Sequence, residues 1–489
     1  MSRPADSTRD HALDGVRAAA MLLGVVYHSI QFRMFVGGMP PGPMGGPGGA
    51  DRWAQEWLHS FRMPLFFLIS GFFGRMTLEK SGAGGYLRKR WTRIGIPLFI
   101  GMFTFSSLYV IALEQTSSGP GPGMARPAGP PQGGPTSPGD LPPPPPGFVP
   151  PPLVRFDVDG DGSLSPGEWA KAREQIARDF GPGGPGGGGG PRGPMMGPFG
   201  GRGGSVSDRL FGPWARYFQL NHLWFLWYLL AFATVAPPTT RLLGFVTRPM
   251  AAAADRLGSR LIRLGLAPLA LGLVAAPALM LTSGPFGWGL GVPATIFRAF
   301  PDFLLKLDVD MLFYFIVFLF GWWVHRGRES LPSLARAWMP NLILGVVAFY
   351  VATRLGDAYG RRPREPYYPL IRGAAYTLYS FGSASCAFAF LGFFRRYLDR
   401  PTPAGRYLAD TAFWVYLIHQ PIVLVGLAWL MPYGLPWWAV SGAVALLAFA
   451  GSLFLYEAIV RPTPLVRVFG PAGARRPATE SGTSDSAPR

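Results

Sequence analysis

The sequence predicts an all-α protein that spans a membrane about ten times and carries one long extracytoplasmic insert. Three observations lead there. Apolar stretches near 20 residues recur along the chain, long enough to cross a bilayer core of roughly 30 Å. Only 15% of the residues are charged, against about 25% in soluble domains. The Lys and Arg residues that give the net charge of +18 sit mainly in short runs between the apolar stretches, where they fix orientation. Placed so, they form no folded basic patch, which argues against nucleic-acid binding.

The candidate spans are 14–35, 57–74, 94–113, 219–237, 264–282, 308–325, 338–354, 371–393, 411–431 and 437–458. The second is short, and Pro64 is expected to kink it. An even number of crossings puts both termini on one side. With the termini cytoplasmic, the short inner loops carry eighteen Lys and Arg, from Arg75 to Arg406. The short outer loops then carry about ten, half of them between 354 and 372. The bias favours N-in, C-in. Basic residues before the first apolar run mimic a secretory signal. The absence of a small-residue cleavage site, and the presence of Arg17, His28 and Gln31 in the run, make it a retained helix. The expected organisation is three spans in 1–113, the insert in 114–218, seven spans in 219–460 and a tail in 461–489.

The insert is rich in Gly and Pro, with five prolines at 142–146, and a smaller such stretch covers 36–50. That composition buries too little apolar surface to offset ordering entropy, so most of the insert reads as disordered linker. One island differs. Residues 157–168 read DVDGDGSLSPGE, with Asp157, Asp159 and Asp161 at positions 1, 3 and 5 of a calcium loop and Gly162 at 6. Ser163 at 7, Ser165 at 9 and Glu168 at 12 complete the pattern. Ca²⁺ takes six to eight hard oxygens, and alternate residues of a tight loop aim carboxylates inward. EWAKAREQIARDF continues as the exiting helix, whereas the proline-rich entry is atypical and no second loop pairs with it. Weak calcium binding is expected; an uncoordinated acidic turn is the alternative.

The first span holds Arg17 and His28 eleven residues apart. At 100° per residue these lie about 20° from eclipse, on one helix face, and about 16 Å apart along the axis. An ionisable side chain at the depth of His28 faces the bundle interior and is a functional candidate. A hydrogen-bonded structural histidine with a snorkelling arginine is the plainer reading.

The stretch LDGVRAAAMLLGVVYHS resembles the opening of the acyltransferase 3 family, whose signature is an Arg and a His separated by ten residues on the first helix. FFLISGFFG (66–74) and RKRWTRIGIPL (88–98) are also similar to that family. HLWFLWYLL (222–230), VYLIHQPIVLV (415–425) and LYEAIVRPTPLVRVFG (455–470) are similar to its glucan biosynthesis protein C subgroup. The insert departs from the family pattern. The resemblance implies an inner-membrane O-acyltransferase that moves an acetyl or succinyl group from cytoplasmic acyl-CoA to a hydroxyl of a periplasmic or cell-envelope glycan. In that reading neutral His28 is the general base, and Arg17, Arg90 and Arg93 hold the CoA phosphates.

The remaining polar residues carry weaker expectations. His222, at the outer end of the fourth span, contacts either a sugar or the interface. His419, beside Pro421, is either a second polar site or a hydrogen-bond partner of a broken helix. His59 and His325 read as solvated residues at helix ends, and Glu457 pairs with Arg461 across one turn. Trp53, Trp57, Trp437 and Trp438 read as interfacial anchors. Cys386 is expected as a buried free thiol, and a lone cysteine excludes an internal disulfide. Two other functions stand beside acyl transfer. One is a transporter or flippase of a glycan or lipid intermediate, weakened by the lack of repeats between the halves. The other is a calcium-responsive sensor, which lacks a signalling domain.

Overall fold

The computed structural model describes residues 10–33, 50–118, 156–180 apart from 160 and 162, 206–247, 251–281, 300–305, 309–359, 366–400 and 402–470. Helices make up nearly all of it, and there is no β-strand among the described residues. In chain order they are α1 (His11–Gln31), α2 (Ala50–Arg90), α3 (Ile96–Phe103), α4 (Phe105–Ser118), α5 (Pro166–Phe180) and α6 (Val206–Phe211). Then come α7 (Trp224–Thr247), α8 (Ala251–Arg263), α9 (Ala267–Met280), α10 (Asp302–Leu305) and α11 (Asp310–Val324). The chain continues with α12 (Leu334–Tyr359), α13 (Tyr368–Tyr397), α14 (Pro403–Leu430), α15 (Trp437–Leu455) and α16 (Val466–Phe469). The predicted linker stretches 36–49, 119–155 and 181–205 lie outside the described residues, as does Gly162.

Among the described residues, seven helical runs are long and apolar enough to cross a membrane, or eight if the bent pair Ala252–Arg263 and Ala267–Met280 is one span. Two of the seven exceed a single crossing. Trp53–Gln115 has 63 residues, about 95 Å at 1.5 Å per residue, and contains the predicted spans 57–74 and 94–113. Met311–Gly356 likewise contains 308–325, bar its first residues, and 338–354, separated by a 3-10 segment at His325–Ser333. The break in the first run falls at Gly82, with φ of 66° and ψ of 175°. Pro64, expected to kink its helix, instead sits within continuous helical dihedrals. Proline removes the N–H that would bond the carbonyl four residues back, here Ser60. That buried carbonyl accepts from Ser383 Oγ at 2.6 Å, so a neighbouring helix supplies the missing donor.

Packing follows membrane rules rather than those of a soluble core. Side chains turned outward include Leu446 and Phe454 on α15 and Ile343 and Val347 on α12, as lipid-facing positions require. Between helices, small residues let backbones approach. A Cβ on Gly71 would stand 1.9 Å from the Phe318 carbonyl oxygen, and one on Gly321 would stand 1.9 Å from that of Leu68. Gly345 and Gly382 do the same for α12 and α13, where Cys386 is buried as a free thiol against Gly345. Aromatic rings fill the interior: Phe67 lies 4.8 Å from Tyr314 and 5.1 Å from Phe225, centroid to centroid. Helix α1 is anchored at its start by charge. Asp10 caps Leu13 N at 3.1 Å and pairs with Arg395 at 2.6 Å, while Asp399 receives Ala12 N at 3.2 Å.

The segment Phe156–Phe180 belongs to a compact unit of its own. Leu164, Trp169 and Ala172 are buried together, with Phe156 against them.

Candidate functional site

Four segments distant in sequence place their polar side chains together inside the helical bundle. His28 comes from α1, Arg62 from α2, His222 from a 3-10 turn at Asn221–Leu223, and His419 with Gln420 from α14. The rings of His28 and His419 lie 5.2 Å apart, and those of His419 and His222 lie 5.5 Å apart. His222, Arg62, Gln420 and His419 are all buried.

The hydrogen-bond partners assign the ring protons. His28 Nδ1 lies 2.9 Å from Gln31 Oε1, to which it donates; in that tautomer Nε2 keeps a lone pair, and Gln420 Nε2 lies 3.4 Å from it and 3.5 Å from Nδ1. His419 Nδ1 donates to the Tyr416 carbonyl at 2.7 Å, with the Val415 carbonyl at 3.1 Å. Its Nε2 is buried without a partner among the described residues. Two basic nitrogens are thus presented in one cluster, each oriented by a bond to the other side of its ring.

His222 is held by the consequence of a proline. Pro421 leaves the Leu417 carbonyl without its helical donor, and His222 Nε2 donates to that oxygen at 3.1 Å. Tyr416 Oη donates to the backbone carbonyl of His222 at 2.5 Å. Asn221, at a φ of 43°, donates to Ser106 Oγ at 2.7 Å, and Ser106 Oγ donates to the Gln219 carbonyl at 2.6 Å. The carbonyl freed by Pro421 is thus met by His222, while His419 bonds the Tyr416 and Val415 carbonyls of its own helix.

Arg62 brings a cation. Its guanidinium lies 4.9 Å from the Tyr27 ring centroid, inside cation–π range. Tyr27 in turn lies 5.1 Å from His59. Among the described residues no carboxylate pairs with Arg62, and its Nε has no partner. Gly24 makes room for it: a Cβ there would stand 2.3 Å from Nη1 of Arg62.

At the start of α1, Arg17 is partly exposed and pairs with Asp14 at 3.5 Å. It is close enough to Arg90 to act on it electrostatically. Arg90 stacks its guanidinium 5.3 Å over Tyr86, and Arg93 is exposed nearby in sequence. Two of the three predicted arginines are thus brought together.

His222 lies within the bundle at 5% exposure, its ring drawn to the Leu417 carbonyl. Other expectations are corrected. His59 and His325 are buried rather than solvated, at 7% and 2% exposure. His325 packs edge-on against Phe72, with Glu79 3.7 Å away. Trp53 and Trp57 stack on each other and pack against the core, whereas Trp438 is exposed as an anchor would be. Glu457 pairs with Arg461 at 2.5 Å as expected. Sequence reasoning missed Arg62 entirely, although an ionisable residue inside a predicted span was the available signal.

In the insert, Asp157, Asp159 and Asp161 each offer a carboxylate oxygen within 4.8 Å of the others. Oxygens sharing one ion at bonds of about 2.3–2.6 Å lie no more than about 5 Å apart, a limit this spacing meets. Glu168 turns back into the loop. It accepts from Val158 N at 2.5 Å, Ser165 N at 2.9 Å and Ser165 Oγ at 2.8 Å. Those bonds, led by the Ser165 hydroxyl, lower its carboxyl to about 2.

Fold and site together define a polytopic membrane protein with a histidine–arginine centre buried in its bundle. The chain belongs to the acyltransferase 3 family, whose acyltransferase domain matches residues 10–457. Curated relatives carry the name glucans biosynthesis protein C. That of Escherichia coli strain K12 is 27% identical over 128 residues, covering 25% of this chain and 32% of that protein. That of Shigella dysenteriae serotype 1 strain Sd197 is 30% identical over 129 residues, covering 24% and 31%. The match thus spans about a third of these relatives' length. No solved structure matches.

Proposed function

We propose that the protein is an inner-membrane O-acyltransferase that crosses the membrane ten times, N-in and C-in. It takes an acetyl or succinyl group from cytoplasmic acyl-CoA and places it on a hydroxyl of a periplasmic or cell-envelope glycan. The observation that carries this reading is the lone pair of His28 Nε2, oriented by the Gln31 bond and set deep in the bundle. On the same face of α1, about three turns nearer the cytoplasm, stands Arg17, beside Arg90. Guanidinium groups suit phosphate, so the nucleotide end of the donor docks at Arg17, Arg90 and Arg93. The thioester arm then extends along α1 towards His28.

In the reaction, the glycan hydroxyl oxygen attacks the thioester carbonyl carbon while His28 Nε2 takes its proton. The tetrahedral intermediate collapses, the carbon–sulfur bond breaks, and the leaving thiolate takes that proton to become CoA thiol. His222 and His419 line the acceptor side. Two features of the loop 157–168 support calcium as a structural ligand: the carboxylate cluster at Asp157, Asp159 and Asp161 and the inward-turned Glu168. Ser163 and Ser165 supply the further oxygens that the pattern assigns.

The reading is tested in sealed proteoliposomes, with acetyl-CoA or succinyl-CoA on one side and a β-glucan trapped on the other. Ester formation on the trapped glucan is expected. Ester formation only when donor and glucan share a side, or none with either donor, contradicts it.

A further inference from the structure

Arg62 is the one strongly basic group in the cluster, and neither the hydrogen bonds nor the ion pairs among the described residues of the bundle account for it. A charged guanidinium buried in a membrane bundle is costly unless something anionic meets it. Its neighbours are rings and a glycine: Tyr27 at 4.9 Å, with Tyr416 and Tyr314 within electrostatic reach. A tyrosine is neutral at pH 7. The bundle therefore holds a cation prepared for negative charge that the described residues do not supply.

Its place along α1 says where that charge arises. Gly24, whose missing Cβ leaves room for Nη1 of Arg62, stands seven residues after Arg17 and four before His28. At 100° per residue, Arg17, Gly24 and His28 fall within about 40° of one another on the same helix face. They form a track: the donor's phosphates at Arg17, the guanidinium of Arg62 over Gly24, and the base one turn further, about 6 Å along the axis. A thioester arriving from Arg17 brings its carbonyl under Arg62 just before it meets the hydroxyl held by His28.

We infer that Arg62 is a catalytic residue of the acyl transfer, the group that stabilises the oxyanion formed at the thioester carbonyl. This rests on the acyl-transfer reading above and adds the element that reading lacks. When the hydroxyl oxygen bonds to the carbonyl carbon, the carbonyl π pair moves onto oxygen, and that oxyanion lies against the guanidinium. As the pair returns, the carbon–sulfur bond breaks and the proton on His28 passes to the leaving sulfur. The stabilisation acts on charge that exists only in the transition state and intermediate, so it raises kcat rather than affinity.

The test uses the full-length protein in nanodiscs, with acetyl-CoA and succinyl-CoA each as donor and a β-glucan as acceptor. CoA thiol release and thermal midpoint are both measured. Arg62→Met is expected to lower kcat with either donor by about 10²–10³-fold, while KM for the donor stays within about threefold. Its thermal midpoint should not fall, because a buried cation without a counter-ion is replaced by an apolar chain. Gly24→Ala, which pushes the guanidinium aside without touching it chemically, should lower kcat in the same direction. The inference is overturned by a kcat of Arg62→Met within about threefold of wild type, by a raised KM with kcat unchanged, or by a loss confined to succinyl-CoA. The last would make Arg62 a binder of the donor's distal carboxylate. A fall in thermal midpoint matching the fall in activity makes the residue structural and overturns it too. Wild-type protein that releases no thiol from either donor refutes the acyl-transfer reading itself, and the inference with it.

Discussion

The bundle cluster and the insert loop both concentrate ionisable side chains, but they are assembled in opposite ways. The cluster draws on residues 24–31, 59–62, 222 and 416–420, brought together by helix packing. The loop is twelve consecutive residues, and its carboxylates are satisfied locally, Glu168 by Val158 and Ser165. In the loop the backbone donates to acids; in the bundle, histidines donate to backbone carbonyls and leave lone pairs and one cation facing inward. Local assembly gives acids whose partners lie within a few residues. Long-range assembly leaves His419 Nε2 and Arg62 Nε without partners among the described residues.

The sharpest way to break the long-range half is to part the helices that build it. Gly321→Val puts a branched side chain where the Leu68 carbonyl already stands 1.9 Å from a Cβ. The loss should reach about 3 kcal/mol, seen as aggregation on size exclusion in detergent; a monodisperse variant with an unchanged thermal midpoint counts against that packing. Ser383→Ala removes the donor to the Ser60 carbonyl and should cost about 1–3 kcal/mol, lowering the thermal midpoint while leaving KM for the donor unchanged. His222→Phe strips the Leu417 carbonyl of its donor in the same way, and here kcat should fall too, because the turn facing His419 loses its anchor.

The local half responds to solvent rather than to packing. Glu168→Gln should weaken calcium binding on the order of tenfold, read by calorimetry on the purified full-length protein, since ligand charge sets affinity over decades. Unaltered affinity would detach Glu168 from the site. The pH dependence has a fixed sign. The Glu168 carboxyl is held low, at about 2, chiefly by the Ser165 hydroxyl. Its contribution is therefore complete above the ordinary glutamate value of about 4.3 and is lost as pH falls through about 2. Limited proteolysis of the segment should stay constant from pH 7 to about 5; a transition inside that range would contradict that bonding.

The same contrast explains what is legible in the sequence. Consecutive spacing makes the clustering of Asp157, Asp159 and Asp161 readable, and helical phase alone puts Arg17 and His28 on one face. Glu457 and Arg461, four residues apart, are equally plain. Nothing local brings His222 to His419, which depends on the Leu417 carbonyl that Pro421 sets free. That signal is present as a rule, since a proline inside a span leaves a carbonyl needing a donor, but the identity of the donor is tertiary. The same rule reads Pro64 as a kink, whereas Ser383 satisfies the freed carbonyl and the helix runs on to Gly82. Arg62 is hidden for another reason: in FRMPLFF it resembles a snorkelling end residue, and tertiary packing, including that of α2 on α1 at Gly24, buries it.

The central claim is that His28, through the Nε2 that faces Gln420, is the base. Steady-state transfer from acyl-CoA to glucan by His28→Ala, beside wild type in the same nanodiscs, tests it most directly. The account predicts a kcat lower by about 10²–10⁴-fold with the thermal midpoint retained. Turnover within about threefold of wild type would contradict it and move the base to His419 Nε2.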